Sequence, residues 1–105
     1  MIKTFFLLLC AHALTDTALQ TPWMAMNKHP SSSPLWPYAL TSHGLINGLG
    51  VYMVTNSVTL GIAETILHGL IDLGKCQGLY GLKMDQSLHL ICKLLWTYAA
   101  SKRFY

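Results

Sequence analysis

Every carboxylate in this chain stands four positions from a histidine. The three sets are His12 with Asp16, Glu64 with His68 and Asp72, and Asp85 with His89. A spacing of four residues places two side chains one turn apart on the same face of an α-helix. Only 10% of the residues are charged, and the three sets lie within runs rich in leucine and isoleucine. Because ordinary surface carboxylates would not concentrate in such runs, the pattern predicts a buried polar site.

The residue types of this set are those of a transition-metal site. Imidazole together with carboxylate suits zinc, manganese or iron, whereas calcium prefers oxygen ligands alone. The predicted metal ligands are His12, His43, His68, Asp85 and His89. The predicted catalytic residues are Asp16 and Asp72, as candidate general bases for a metal-bound water, and Lys75, which would steer an anionic substrate.

Four apolar segments must position these residues, at approximately 2–21, 37–55, 58–75 and 84–100. Prolines at positions 22, 30 and 34 interrupt the chain after the first segment, and Asn56-Ser57 separates the second from the third. Each segment has about 17 to 20 residues, which at 1.5 Å per residue is enough to cross a hydrocarbon core. We therefore expect one all-α domain over residues 1–105, an integral membrane bundle of about four transmembrane helices in a bacterial inner membrane.

The first segment also has features of a signal peptide. Lys3 precedes an apolar run, and Ala11-His12-Ala13 has the A-x-A form of a cleavage site. Cleavage there would release a peptide shorter than 15 residues, which is the usual lower limit for a signal peptide. It would also remove His12 from the helical face that His12, Asp16 and Gln20 share, so we favour a retained first segment.

The depth of the polar residues can be compared if the four segments alternate up and down. Asp16 lies about 9 Å below the end of the first segment, and His43 about 9 Å below the start of the second. His68 lies about 10 Å below the end of the third segment, and Asp85 close to the start of the fourth. These residues therefore converge in one half of the bundle, whereas Glu64 lies deeper and off the cluster.

Two features of the second segment predict close helix packing. Gly44 and Gly48 form a GxxxG pair, which lets the backbone of one helix approach that of a neighbour. Asn47, like Gln20, is expected to form hydrogen bonds between helices and not to bind metal. Lys28 is expected to be a loop cation, and Lys93 gives no functional indication.

Several function classes are excluded by their missing motifs. The chain has no HExxH zincin helix, no GxSxG elbow and no phosphate-binding P-loop. No basic stripe with interleaved aromatic residues is present, so nucleic acid is not an expected partner.

The polar motifs follow one another in a distinctive order. They are His12-x-x-x-Asp16-x-x-x-Gln20, Trp23 and Lys28, His43, His68-x-x-x-Asp72-x-x-Lys75, and Asp85-Gln86-x-x-His89. At these residues the chain resembles the bacterial and phage membrane family catalogued as domain of unknown function 3307, over nearly its whole length. The resemblance implies a small polytopic membrane protein and supplies no reaction. Larger members of that family carry additional membrane segments, which leaves open a homo-oligomer as the working unit.

Three functions are compatible with this pattern. The first is a metal-dependent hydrolase embedded in the membrane, with the lipid bilayer as its partner and a lipid or lipid-linked ester as its substrate. The second is a module that binds or transports protons or metal ions without catalysis. The third is a structural membrane protein whose His and Asp pairs only specify helix packing. Any single pair is more often structural, but the set as a whole favours a metal or proton site.

Overall fold

The computed structural model describes residues 1–102 of the chain. These residues contain five α-helices and one π-helical turn. The elements in chain order are α1 (Ile2–Ala13), the π-helical turn (Leu14–Ala18), α2 (Pro22–Asn27), α3 (Trp36–Thr55), α4 (Val58–Cys76) and α5 (Leu82–Lys102). The all-helical class agrees with the prediction. The first predicted segment differs, because its α-helix ends at Ala13, and the expected loop after Pro22 contains the short helix α2.

Local sequence signals explain where the helices begin and end. The Thr21 hydroxyl accepts a hydrogen bond from Met24 N at 3.1 Å, and Pro22 occupies the first turn, where it needs no amide donor. The Ser57 hydroxyl caps α4 in the same way by accepting from Leu60 N at 3.1 Å. Asn56 ends α3 with a left-handed φ of 56°, a conformation that asparagine tolerates better than most residues. The predicted break and cap at Asn56-Ser57 are therefore confirmed.

The prediction of membrane-spanning helices is wrong. Within residues 1–102 no helix combines the length and the apolar character that crossing a membrane requires. Helix α1 has 12 residues, about 18 Å at 1.5 Å per residue. Charged side chains interrupt α4 and α5, and α3 contains His43 and Asn47. The expectations of a transmembrane bundle, of a bacterial inner-membrane location and of a polytopic protein are corrected accordingly, because these polar residues interrupt the apolar length of the segments.

Helices α3 and α4 are in closest contact, at the predicted GxxxG pair. A Cβ atom added to Gly48 would lie 2.6 Å from the Gly61 carbonyl oxygen and would overlap Thr65 Oγ1. A Cβ atom on Gly44 would lie 3.1 Å from the Thr65 carbonyl oxygen. The two backbones therefore touch directly, which confirms the expected close approach and brings the inward faces of α3 and α4 together.

The buried faces of the helices are polar at one end of the bundle and apolar at the other. Along α3 the inward residues at a spacing of four are His43, Asn47 and Val51, and along α4 they are Leu60, Glu64, His68 and Asp72. The apolar end is a small cluster formed by Leu8, Val51, Leu60, Cys92 and Trp96. The largest fully buried side chains are Lys93, Leu8, His43, His68, His89, Glu64, Val51 and Asp85. Six of these eight side chains are titratable.

The contact between α3 and α4 gives a stability prediction. Gly48→Ala should lower the free energy of unfolding by about 1–3 kcal/mol, because the added methyl group meets backbone that cannot move away easily. Gly69→Ala is the matched control, since a Cβ atom on Gly69 would meet nothing within 4 Å. That change should stabilise α4 by about 0.5–1 kcal/mol. Urea unfolding followed by circular dichroism measures both values. Equal tolerance of the two substitutions would contradict the close packing.

Candidate metal centre

Four side chains from three helical elements each bring one ligand atom to a common point. They are Asp16 from the π-helical turn, His43 from α3, and His68 and Asp72 from α4, and their ligand atoms all lie within 4.8 Å of one another. Asp16 Oδ1 is 3.0 Å from His43 Nε2 and 3.3 Å from His68 Nε2. Asp72 Oδ2 is 3.5 Å from His43 Nε2 and 3.6 Å from His68 Nε2. We call these four residues the first group.

Four of the six spacings between these atoms are compatible with tetrahedral coordination. Ligands about 2.0–2.1 Å from a zinc ion stand about 3.3 Å from one another at the corners of a tetrahedron. The four separations between carboxylate oxygen and imidazole nitrogen range from 3.0 to 3.6 Å and lie on both sides of that value. The first group could therefore hold a divalent ion with small shifts of its side chains.

The π-helical turn explains how Asp16 reaches this group. Leu19 N donates to the Leu14 carbonyl oxygen at 2.8 Å, so this turn closes five residues apart and is wider than an α-helical turn. Thr15 Oγ1 donates to Asn47 Oδ1 at 2.7 Å, while the next residue, Asp16, accepts from His43 Nε2. Two consecutive side chains thus contact α3. Single π turns inside helices occur frequently at functional sites.

Glu64 orients His68 toward the first group. His68 Nδ1 lies 3.2 Å from Glu64 Oε2, a contact in which the imidazole donates to the carboxylate. This leaves His68 Nε2 facing Asp16 and Asp72. Glu64 is itself held by Lys93 Nζ and Trp96 Nε1, which each donate to Oε1 at 2.8 Å. A carboxylate that accepts from the far nitrogen of a histidine is the usual outer partner of a metal-binding imidazole.

A second group adjoins the first and shares one residue with it. It consists of Asp72, Asp85 and His89, with His89 Nε2 lying 3.4 Å from Asp72 Oδ1 and 3.5 Å from Asp85 Oδ1. The ring centroids of His68 and His89 are 4.3 Å apart. Glu64, His68 and His89 form a further set of possible ligands, but Glu64 is already engaged by Lys93 and Trp96.

One amide and one ammonium group contact these carboxylates. Gln86 Nε2 donates to Asp16 Oδ2 at 3.2 Å and to Asp85 Oδ2 at 3.0 Å. Lys28 Nζ donates to Asp72 Oδ2 at 3.0 Å and to Gln20 Oε1 at 2.6 Å. Lys28 is 7% exposed, so it is a buried partner of Asp72 and not the loop cation that we expected.

Burial and these contacts oppose each other in setting the pKa values. Burial alone would raise the pKa of Asp16, but the imidazoles of His43 and His68 beside its carboxylate outweigh it and hold this pKa below its ordinary value. Burial likewise acts against ionisation of Glu64, yet His68 and Lys93 lower its pKa to about 2. Burial would lower the pKa of His68, but the carboxylates of Asp16 and Glu64 raise it to about 9. Burial lowers the pKa of His12.

Several buried polar atoms of the site lack a hydrogen-bond partner among the described residues. The buried polar atoms of this kind are His12 Nδ1, His43 Nδ1, His68 Nε2, Asp85 Oδ1 and His89 Nδ1. Buried polar atoms without partners are rare in native proteins. Here all of them belong to the cluster of histidines and aspartates. Two of them, His68 Nε2 and Asp85 Oδ1, point into the first and second groups, which fits groups able to hold cations.

The structure brings together all the predicted site residues except Lys75. His12 lies at the edge of the cluster, with Nε2 3.1 Å from Gln86 Oε1 and its ring centroid 5.4 Å from that of His89. Lys75 is half-buried and forms no hydrogen bond or ion pair through its ammonium group within residues 1–102. The placement of Glu64 off the cluster is wrong. The catalytic and ligand roles assigned to these residues stay predictions.

Sequence reasoning missed three partners of the carboxylates. The sequence contains a signal for Lys93. It stands four residues after His89, so it lies one turn further along the same inward face of α5. Lys28 is part of the ordered family pattern, but nothing local shows that it pairs with a residue 44 positions away. Trp96 donates its indole N–H to Glu64, and nothing in the local sequence predicts this contact.

A family model described as "Protein of unknown function (DUF3307)" matches residues 4–104. No curated protein and no solved structure matches the chain. The family match confirms the resemblance drawn from the order of the polar motifs, and it covers every residue of both groups. The family description gives no activity, so the geometry of the centre is the only indication of function among the described residues.

The raised pKa of His68 predicts how the stability of the metal-free protein depends on pH. Protonated His68 stabilises the folded state fully below pH about 6.5, and this contribution is lost as the pH rises to about 9. The loss should be on the order of 3 kcal/mol. Urea unfolding in EDTA at pH 6.5 and 9 measures it. His68→Gln should remove most of the difference, whereas His29→Ala, a loop histidine, should retain it. An unchanged pH dependence in His68→Gln would contradict this assignment.

Proposed function

The chain belongs to the DUF3307 family of proteins of unknown function, and we propose that it is a metal-binding protein. Its buried centre would hold one divalent ion, with zinc preferred over manganese or iron. The ligands would be Asp16 Oδ1, His43 Nε2, His68 Nε2 and Asp72 Oδ2. Two imidazole nitrogens and two carboxylate oxygens are a donor set that zinc accepts in tetrahedral sites.

One observation carries this proposal: the four separations of 3.0 to 3.6 Å between the aspartate oxygens and the histidine nitrogens. Hydrogen bonding does not explain all four of these short separations. Only one of the four contacts, between His43 and Asp16, has hydrogen-bond geometry. His68 Nε2 lies near two carboxylate oxygens without forming a hydrogen bond to either. A cation between these atoms would give each of them a partner.

The surroundings of the first group support the same conclusion. Glu64 receives the Nδ1 proton of His68, so the opposite nitrogen is available for a metal. His68, whose pKa is raised to about 9, must lose its Nε2 proton when an ion binds, so metal affinity should fall as the pH is lowered. Three of the four residues that would hold the ion are almost fully buried, with His43 at 0%, His68 at 1% and Asp72 at 2% exposure, and the Asp16 side chain is 11% exposed. Binding would therefore take place away from bulk water.

Metal-dependent hydrolysis is the second candidate function, and one observation favours it. Beside the first group lies another buried carboxylate, Asp85, whose Oδ1 has no hydrogen-bond partner among the described residues. Such a carboxylate can act as general base for a metal-bound water. The expected lipid-linked substrate depended on a membrane location that the structure contradicts, so only the hydrolytic chemistry is retained.

Another observation favours ion binding without catalysis over hydrolysis. Three pockets of about 240 to 280 Å³ lie on the outside of the bundle. They are lined by apolar residues, glycine and threonine, with Tyr52 at one, and none of the three contains a histidine or carboxylate of the centre. We therefore place metal binding first and hydrolysis second. In a purely structural role, the same residues would only join the helices.

Metal content distinguishes these functions. The wild-type protein, loaded with zinc and passed through a desalting column, should retain stoichiometric zinc by elemental analysis. Asp16→Asn keeps the size of the side chain but removes the anionic ligand, and it should weaken zinc binding at least about 100-fold. His29→Ala is the control, because it removes a histidine outside the centre and should bind zinc as the wild type does.

The opposite outcome is equally clear. If the wild-type protein retains no stoichiometric metal and Asp16→Asn changes only its thermal stability, the cluster serves helix packing and the metal-binding proposal fails. If the wild type retains zinc but cleaves no ester or phosphoester substrate, the hydrolase candidate is dropped and metal binding stands.

A further inference from the structure

Asp72 presents its two carboxylate oxygens to two different sets of ligands. Oδ2 lies 3.5 Å from His43 Nε2 and 3.6 Å from His68 Nε2, on the side of the first group. Oδ1 lies 3.4 Å from His89 Nε2, on the side of the second group. Asp72 is 2% exposed, so neither oxygen is free to turn toward solvent. A carboxylate placed in this way has the arrangement of a bridge between two cations.

The second group has its own unsatisfied ligand. Asp85 is 1% exposed, and its Oδ1 has no hydrogen-bond partner within residues 1–102. This oxygen is 3.5 Å from His89 Nε2, and His89 is fully buried. Leaving a buried carboxylate oxygen without a partner is costly, and a cation is the partner that removes this cost for a negatively charged group.

Gln86 orients one carboxylate of each group. Its amide nitrogen donates to Asp16 Oδ2 at 3.2 Å and to Asp85 Oδ2 at 3.0 Å. The remaining oxygen of Asp16 therefore faces His43 and His68, and the remaining oxygen of Asp85 faces His89. A single amide thus directs Oδ1 of both aspartates inward. Partners that hold the outer atoms of ligands in this way are typical of metal sites.

From these contacts we propose that the centre binds a second divalent cation on Asp72 Oδ1, Asp85 Oδ1 and His89 Nε2, with Asp72 bridging the two ions. This inference rests on the proposed first site. The two sites differ in their number of protein ligands, because the first has four and the second has three. A metal with three protein ligands keeps a position for water or substrate, which is the arrangement of catalytic sites.

The second ion would explain residues that one ion leaves unused. Asp85 and His89 are buried in the interior, yet neither belongs to the first group. Two-metal sites with ions about 3.5–4 Å apart hydrolyse phosphate esters and peptides by activating a water between the ions. The second ion therefore deepens the hydrolase candidate and gives Asp85 the role of ligand instead of general base.

Manganese is the probe for this proposal, because neighbouring Mn²⁺ ions couple magnetically. Full-length protein equilibrated with excess MnCl₂ should bind two ions per chain by calorimetry, and electron paramagnetic resonance should show an exchange-coupled pair. Asp85→Asn and, independently, His89→Gln should each reduce the stoichiometry from two to one and replace the coupled signal with that of an isolated ion. His29→Ala should retain both ions and their coupling.

The possible failures are separable. If the wild type binds one uncoupled ion and Asp85→Asn does not change that value, the second site is refuted while the first stands. If the wild type binds no manganese and no zinc, both proposals fall. Should Asp85→Asn or His89→Gln not fold by circular dichroism, the wild-type stoichiometry and coupling decide the question alone.

Discussion

The enclosure of the four acidic side chains among histidines, three of them buried and Asp16 nearly so, is the constraint on which the rest of the structure depends. Removing an ionised carboxylate from water costs several kcal/mol unless donors or cations replace the lost hydration. Each carboxylate has its own set of partners: His43 and Gln86 for Asp16, His68, Lys93 and Trp96 for Glu64, Lys28 and His89 for Asp72, and Gln86 for Asp85. The helices must pack so that these donors meet, and this requirement determines which face of each helix is buried.

Helix packing and site geometry are therefore linked. The glycine contact brings α3 and α4 close enough for His43 and His68 to lie with ring centroids 4.9 Å apart. The π-helical turn moves Asp16 into the same space from the other side. At the opposite end of the bundle, Leu8, Val51 and Leu60 form the small apolar cluster. A polar interior of this kind is retained in proteins when it serves binding or specificity, since apolar residues of similar volume often give equal or greater stability.

The sequence predicts contacts within a helix and the convergence of the polar residues, but not the individual pairs of side chains between helices. The spacing of four between His68 and Asp72 is visible in the chain, and the structure has both side chains in one group. By contrast, Gln86 contacts Asp16 across 70 residues, and Lys93 contacts Glu64 across 29. These pairs depend on how each helix is rotated about its axis and, for Asp16, on the extra residue of the π turn. The regular spacing of residues along an α-helix does not show either feature. The membrane prediction failed because apolar length was counted while the buried polar face was already present in the same segments.

The central claim is that two histidines and two aspartates hold a divalent ion in tetrahedral coordination. X-ray absorption spectroscopy at the zinc edge, on wild-type protein loaded with one equivalent of zinc, tests this most directly. We expect four nitrogen or oxygen neighbours at about 2.0–2.1 Å, together with the outer-shell scattering of two imidazole rings. Six oxygen neighbours without imidazole scattering, as for a hydrated ion at the surface, or a sulfur neighbour at about 2.3 Å, would contradict the account.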